Sequence, residues 1–358
     1  MSKKASKSTK QKIVSLLTVD NIKQIDSTDN LGNNQLSFRI SGQDVNYKFS
    51  NTILRTIINL VGSYGFNGEN VEFQSNTSIF NRDVLRFRLN NTPILYKDYQ
   101  YPPIDNFAEK CVELELDRKD IAYIAKKDEI EEIELQNKKK MELLNNLHMH
   151  VTAKNTTNDI MHVDTSSEFT TFYLDSVVIP NIYPKDLLLV ELNPGQEINF
   201  TAIADFNIPA NGDMYSSAIV ARHIMINENS YIIILESLRQ IPEKVIVQKA
   251  CEIIIIKFNN LRDVLLEHIN SLRSTTNIEY SAHIEIKHEN HTLGEIFTYH
   301  IQNHPNITFA GFNNEHPDIN DIFFEYSTEG MPFSKILVDV IKEITDLYQN
   351  LADQLLAN

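Results

Sequence analysis

The sequence predicts an α+β protein in two unequal halves, with a mainly β lobe inserted into the first. Three observations carry that reading. Two long segments, from Pro242 to about Leu272 and from Ser334 to about Leu356, keep an apolar stripe at helical spacing. Shorter segments before each of them alternate apolar and polar residues, the pattern of half-buried strands. Residues 97–188 break the pattern with a Tyr- and Pro-rich run, a densely charged stretch and further strand-like segments.

The 358 residues suffice for two or three domains with real cores, and 42% apolar with 23% charged residues is a globular composition. No run of about 18 uninterrupted apolar residues occurs, so no membrane span is expected. The N-terminus lacks the apolar core of a signal peptide. Cys111 and Cys251 are the two cysteines, far apart, which fits a reducing compartment without a disulfide framework. A formal net charge of −15 argues against holding nucleic acid over a broad surface, because phosphate contact needs a positive field. The excess is uneven: residues 277–358 hold thirteen acidic and three basic side chains.

In chain order, residues 1–12, with Lys3, Lys4, Lys7, Lys10 and Lys12, read as a mobile basic arm, and organised structure starts near Ile13. Gln35–Ile40 and Val45–Phe49 read as strands around a Ser41-Gly42 turn. Ser50 or Asn51 then caps a helix whose apolar face is Ile53, Leu54, Ile57, Ile58, Leu60 and Val61. Its polar face is Thr52, Arg55, Thr56 and Asn59, and Gly62 and Gly65 end it. Strand-like Val71–Gln74, a polar turn and an element over Phe80–Leu89 follow. In the lobe, Lys126–Asn146 reads as a charged helix, and Leu147–Ala153 and Phe169–Val178 as strands. Pro242 opens a helix striped by Val245, Ile254, Phe258, Leu261, Leu265 and Ile269. Ser274–Asn277 is the linker, and Ile278–Lys287 a strand. Near the C-terminus Ile336, Val340, Ile341, Ile344, Leu347, Tyr348, Leu351 and Leu355 form a one-sided stripe that calls for a partner surface.

Between that strand and that helix lies the most informative stretch, His291 to Pro317. Thr292 can cap a helix with Glu295 closing a capping box, and Leu293, Ile296, Phe297 and Ile301 share one face. Pro305 ends the helix, Ile307–Phe312 reads as a strand, and His316-Pro317 as a turn. The order of these blocks resembles the small alpha-like subunits of multisubunit RNA polymerases. Those carry Asp-His-Thr-Leu-Gly-Asn, then Phe-Ala-Gly-Tyr, then Pro-His-Pro. Here Asn290, His291, Thr292, Leu293, Gly294 and Glu295 stand for the first block, Phe309, Ala310, Gly311 and Phe312 for the second, and Glu315, His316 and Pro317 for the third. The first half resembles the larger alpha-like subunit. Asn51 and Arg55 match its Asn-x-x-Arg-Arg helix motif, with Leu54 in place of the first Arg. Ser78, Asn81-Arg82-Asp83 and Arg86 or Arg88 fit a second motif loosely, and Leu192 to Ala204 a third. A following Gly-x-x-His-Ala-Lys-Trp-Ser-Pro-Val-Ala segment survives only as Gly212 and Val220-Ala221.

The resemblance implies two alpha-like dimerisation domains fused into an intrachain pseudo-dimer. Residues 13–96 with 189–272 form the larger-subunit-like domain, 97–188 the inserted lobe, 273–276 the linker, and 277–358 the smaller-subunit-like domain. It implies a non-catalytic assembly platform, with Asn51, Arg55 and Arg86 toward the large catalytic subunits and small-subunit neighbours beside them. His291, Thr292, Leu293, Gly294, Phe309, Ala310, Gly311, His316 and Pro317 then serve dimerisation within the chain. Such fusions occur in large cytoplasmic DNA viruses, and the Ile- and Asn-rich composition without Trp looks most like that of African swine fever virus. Host cytoplasm and virion are the corresponding locations.

Two other classes compete: a metal-dependent hydrolase, and a free-standing scaffold. His148 and His150 could share one strand face, and His283, His288 and His291 cluster in sequence. Neither group comes with the spacing of a zinc site, and no His-Glu-x-x-His, Gly-x-Ser-x-Gly or phosphate-loop segment is present. Relatives of the larger half can carry a cysteine-bound zinc or iron–sulfur cluster in the lobe, where this chain has only Cys111. No catalytic residue, cofactor, metal, membrane or tight nucleic-acid contact is therefore expected.

Overall fold

The computed structural model describes residues 17–26, 34–94, 106–124, 147–183, 186–272, 278–314 and 321–357. The basic arm, the Tyr- and Pro-rich segment, the charged 126–146 stretch, the 273–276 linker and His316-Pro317 lie outside them.

Two strands open the fold, β1 (Thr18–Ile25) and β2 (Asn34–Ser41), followed by helix α1 (Tyr47–Leu60). Asn46 caps α1 by accepting from the Phe49 N–H at 2.9 Å, so the helix begins earlier than Ser50 or Asn51, and Val45–Phe49 is not a strand. Nor does the apolar stripe fall quite as expected. Thr52 and Thr56 are buried, and Ile58 is exposed. Burial is tolerated at Thr52 because its hydroxyl donates to the Lys48 carbonyl at 2.8 Å.

Next come β3 (Ser63–Asn76), α2 (Arg82–Asn90) and α3 (Phe107–Ile124). Six strands follow: β4 (Leu147–Lys154), β5 (Met161–Asp164), β6 (Thr170–Leu174), β7 (Val177–Ile179), β8 (Leu188–Leu192) and β9 (Glu197–Asn207). The strands β4, β6 and β7 extend the sheet of β3 and β9, in the order β3-β9-β4-β6-β7, while β5 pairs β8 apart from it. The α3 helix packs instead against α1 and the helix after β11, within the first half.

The chain then returns through β10 (Ala218–Asn227) and β11 (Ser230–Ser237) to the 30-residue helix α4 (Glu243–Leu272). The second half is β12 (Ser281–Lys287), α5 (His291–Gln302), β13 (Ile307–Asn313), β14 (Asp321–Thr328) and α6 (Phe333–Ala357). All ladders in both halves are antiparallel, ordered β1-β2-β11-β10 and β12-β14-β13.

The two halves repeat one plan. The order β2–α1–β10–β11–α4, with the elements from β3 to β9 set aside, matches β12–α5–β13–β14–α6, and the strand orders correspond. Counted from the first residue of each helix, buried positions coincide: Phe49 with Leu293, Ile53 with Phe297, Ile57 with Ile301. In α4 and α6 the same counting matches Ile246 with Ile336, Ile254 with Ile344, Phe258 with Tyr348 and Leu261 with Leu351. Both short helices are capped by an asparagine, Asn46 and Asn290. The halves meet where α4 lies along α6 and α1 crosses α5. Across that junction Tyr348 stacks on Phe49, with ring centroids 4.6 Å apart and planes 15° from parallel. Burying a large apolar side chain removes roughly 1.5–3 kcal/mol of exposure cost. A stripe of eleven buried residues on α6 therefore cannot be left to solvent.

Candidate functional site

The repeated helices α1 and α5 place the predicted site residues. Asn290, not Thr292, caps α5, its side chain accepting from the Thr292 N–H at 2.9 Å. No capping box forms: Glu295 lies 3.6 Å from His291 instead. The Thr292 hydroxyl is thereby left for Arg55, whose Nη1 donates to it at 2.9 Å across the junction. A matching contact stands on the other side of the repeat. Lys48 and Tyr299 occupy the positions equivalent to Thr292 and Arg55, and the Lys48 ammonium lies 5.7 Å from the Tyr299 ring centroid.

Arg55 opens onto a recess of about 230 Å³ lined by α1, α3, α4 and the start of α5, including Asn59, Arg118, Lys257, Asn290 and Leu293. Its floor holds a buried charge cluster. Lys257 Nζ donates to both Glu115 oxygens, at 3.0 and 2.8 Å, and lies 3.1 Å from Glu289. Burial pulls the Lys257 pKa down, but Glu289 and Glu115 outweigh it and hold the ammonium above its ordinary value. The lysine is thus charged and committed, and it ties α3, α4 and the approach to α5 together. Neither α3 nor this cluster was read from the sequence. Ala108, Cys111 and Val112 begin a buried face that Glu115 interrupts, so the helical stripe is cut by the very residue that reaches Lys257.

The other predicted residues divide by place. Asn51 is half-buried one turn before Arg55 and does not line the recess. Arg86 lies on α2, away from it, with Nη2 3.5 Å from the Val71 carbonyl and the guanidinium over the Phe73 ring. Around α5 the motif residues do pack together. A side chain at Gly294 would put its Cβ 2.9 Å from the Phe312 ring and 3.2 Å from Ile322, so only glycine lets α5 lie this close to β13 and β14. Leu293 and Ala310 are buried beside it, and His291 meets Phe312 edge-on at 5.2 Å. Gly311 is half-buried, whereas Phe309 is 52% exposed and contributes no core. His316 and Pro317 fall outside the described residues.

Two of the candidate histidines are otherwise engaged. His150 bonds the hydroxyls of Thr201 and Thr152, at 3.1 and 2.9 Å, and His283 stacks on Phe323. Among the described residues no group of three or more His, Cys, Asp or Glu is arranged to hold a metal ion. No helix among them is long and apolar enough to cross a membrane.

Known proteins match this arrangement in two ways. A family profile described as the RNA polymerase Rpb3/Rpb11 dimerisation domain matches residues 281–354, from β12 to the last turns of α6. The chain is also 27% identical over 330 residues to a putative DNA-directed RNA polymerase subunit of Acanthamoeba polyphaga mimivirus, covering 89% of this chain and 90% of that protein. Residues 281–354 thus resemble a dimerisation domain of the Rpb3/Rpb11 kind, and the two findings together support a subunit of a viral DNA-directed RNA polymerase.

Proposed function

We propose that this chain is the non-catalytic assembly platform of a viral multisubunit DNA-directed RNA polymerase. Its two halves act as a fused pseudo-dimer, and the recess beside Arg55 docks a catalytic large subunit. The nucleotidyl transfer belongs to the complex. Joining the halves makes their pairing intramolecular, at an effective concentration of order millimolar for a short linker. We read it further as a fused subunit of the African swine fever virus kind, working in the host cytoplasm and packaged in the virion; the Ile- and Asn-rich composition without Trp supports that reading.

One observation carries the docking reading: Arg55 is exposed, holds among the described residues only a neutral hydroxyl in the other half, and opens onto a recess spanning both halves. An arginine so placed is available to a partner without being needed by the core. At a desolvated interface its truncation typically costs about 2–4 kcal/mol of binding, against no more than roughly 0.5 kcal/mol of folding stability at a surface. The test is co-expression with the large polymerase subunits and purification through a tag on this chain. Arg55→Ala should leave the melting temperature nearly unchanged while recovery of the large subunits falls steeply. Full recovery would return Arg55 to a solvated surface role.

A further inference from the structure

The charge cluster under the recess is out of keeping with the repeat. The residue before the helix cap is Val45 at α1 and Glu289 at α5. At the matching positions of the long helices stand Leu347 on α6 and Lys257 on α4. Val45 and Leu347 are both buried, so this plan accepts apolar side chains at both positions. Glu289 and Lys257 instead stand 3.1 Å apart, with side chains only 14% and 8% exposed. Replacing a buried ion pair by apolar residues of similar volume is often neutral or stabilising, because desolvation offsets the attraction. Stability alone therefore gives no reason for the charged version, which lies on the side of the junction that carries Arg55.

What the charges add is a fixed place for the residues leading into α5. His288 has a φ of 60°, a left-handed backbone that a residue other than glycine keeps only where its surroundings hold it. Its N–H donates to Asp321 Oδ1 at 3.0 Å, and the next residue, Glu289, is drawn to Lys257. Asn290 follows and caps α5 through the Thr292 N–H. Asn290, Thr292 and Leu293 then form the wall of the recess that faces Arg55. An ion pair sets a register where apolar packing tolerates sideways adjustment. Neither member of the pair is offered to a docking partner: the Lys257 ammonium is also held by both Glu115 oxygens, and Glu289 does not line the recess.

We propose that Lys257 and Glu289 are positioning residues for docking, which hold the start of α5 as the wall of the recess opposite Arg55. They act through Asn290 and Thr292 and touch no partner themselves. This rests on the recess receiving a large polymerase subunit, and adds that the α5 wall must stand in this place for it to do so.

The test uses the full-length chain, alone and co-expressed with the large subunits. Glu289→Val puts before α5 the residue that stands before α1, and leaves Lys257 its partner Glu115. Lys257→Leu/Glu115→Leu/Glu289→Val carries the apolar version through; if it fails to fold, Glu289→Val decides alone. Hydrogen exchange is read in the isolated chain over residues 290–297, where the Thr292 and Gly294 N–H groups bond Asn290. It should quicken at least fivefold, while residues 230–237 of β11 exchange as in the parent. Recovery of the large subunits through a tag on this chain should fall at least fivefold. Unchanged exchange at 290–297 overturns the proposal, and so does quickened exchange with full recovery, which would make the cluster a structural tie only. Arg55→Ala separates the two readings. If it keeps the large subunits while Glu289→Val loses them, docking through Arg55 fails and the positioning of the α5 wall stands. If it loses them while Glu289→Val keeps them, the docking stands and the positioning fails.

Discussion

At one equivalent position α6 buries a leucine, Leu347, where α4 buries a lysine, Lys257. The two helices otherwise share a buried stripe, so the difference isolates what the first half adds. That addition is α3, which reaches α4 through Glu115, while Glu289 reaches the same ammonium from the second half. At this position α6 closes the junction with an apolar side chain, and α4 with a charge cluster joining three pieces of chain. Packing tolerates sideways adjustment, whereas two carboxylates on one ammonium fix a register.

The sharpest way to break the comparison is to make α4 resemble α6. Lys257→Leu takes the ammonium away from the buried Glu115 and from Glu289. Stripping one partner from a buried ion pair typically costs about 3–5 kcal/mol. The loss should appear as a lower denaturant midpoint. Adding Glu115→Leu should recover a good part of it, because removing both charges can be nearly neutral. A single mutant as stable as the parent would mean the cluster is solvated and sets no register.

How much of this was legible depended on whether burial and polarity agreed. The elements α4, α5, β13 and α6 were found within a few residues, because Phe258, Phe297 and Tyr348 put apolar groups where the fold needs them. The start of α1 was missed because Asn46, its cap, precedes a Tyr-Lys-Phe run that also reads as strand. Thr52 and Thr56 looked like solvent positions, and at Thr52 a bond to the helix's own carbonyl makes burial tolerable. The cluster of Glu115, Lys257 and Glu289 could not be read locally, since each member looks like an exposed charge until the other two are brought to it. The Arg55 contact to Thr292 spans 237 positions, and only the fold joins them.

A second pair of equivalent positions sharpens the comparison at smaller cost. Ser50 on α1 and Gly294 on α5 both face the sheet beneath them. Ser50 fills its place and bonds His223 Nδ1 at 2.8 Å, while the place at Gly294 is filled by Phe312. Exchanging them should therefore cost differently. Gly294→Ser pushes a side chain into the Phe312 ring, an overpacking that typically costs about 1–3 kcal/mol. Ser50→Gly loses two hydrogen bonds, to the Tyr47 carbonyl and to His223, and some helix propensity, together about 1.5–3 kcal/mol, and forces nothing to move. Near-ultraviolet circular dichroism would separate them, with the aromatic signal disturbed in Gly294→Ser and retained in Ser50→Gly. Identical spectra would mean that α5 is not held to β13 at its limiting distance.

The smallest expected effect concerns the two contacts that mirror each other at the α1–α5 crossing, Arg55 to Thr292 and Lys48 to Tyr299. One is a hydrogen bond from an exposed guanidinium to a hydroxyl, the other an ammonium beside an aromatic ring. Exposed interactions of either kind are worth about 0.5–1 kcal/mol at most, because water competes for the cation in both. Double-mutant cycles measure each coupling, with Arg55→Ala and Thr292→Ala in one and Lys48→Ala and Tyr299→Leu in the other. Both should fall near 0.5 kcal/mol, and combining the pairs should be additive within roughly that amount. The outcome bears on docking directly. If Arg55 couples weakly to Thr292, the arginine can turn to an incoming subunit at little cost, and a steep loss of recovery in Arg55→Ala reports the partner contact. A coupling well above 1 kcal/mol would make Arg55 an internal brace between the halves. The same loss of recovery would then reflect a loosened junction, and the mirrored Lys48 variant should reproduce it.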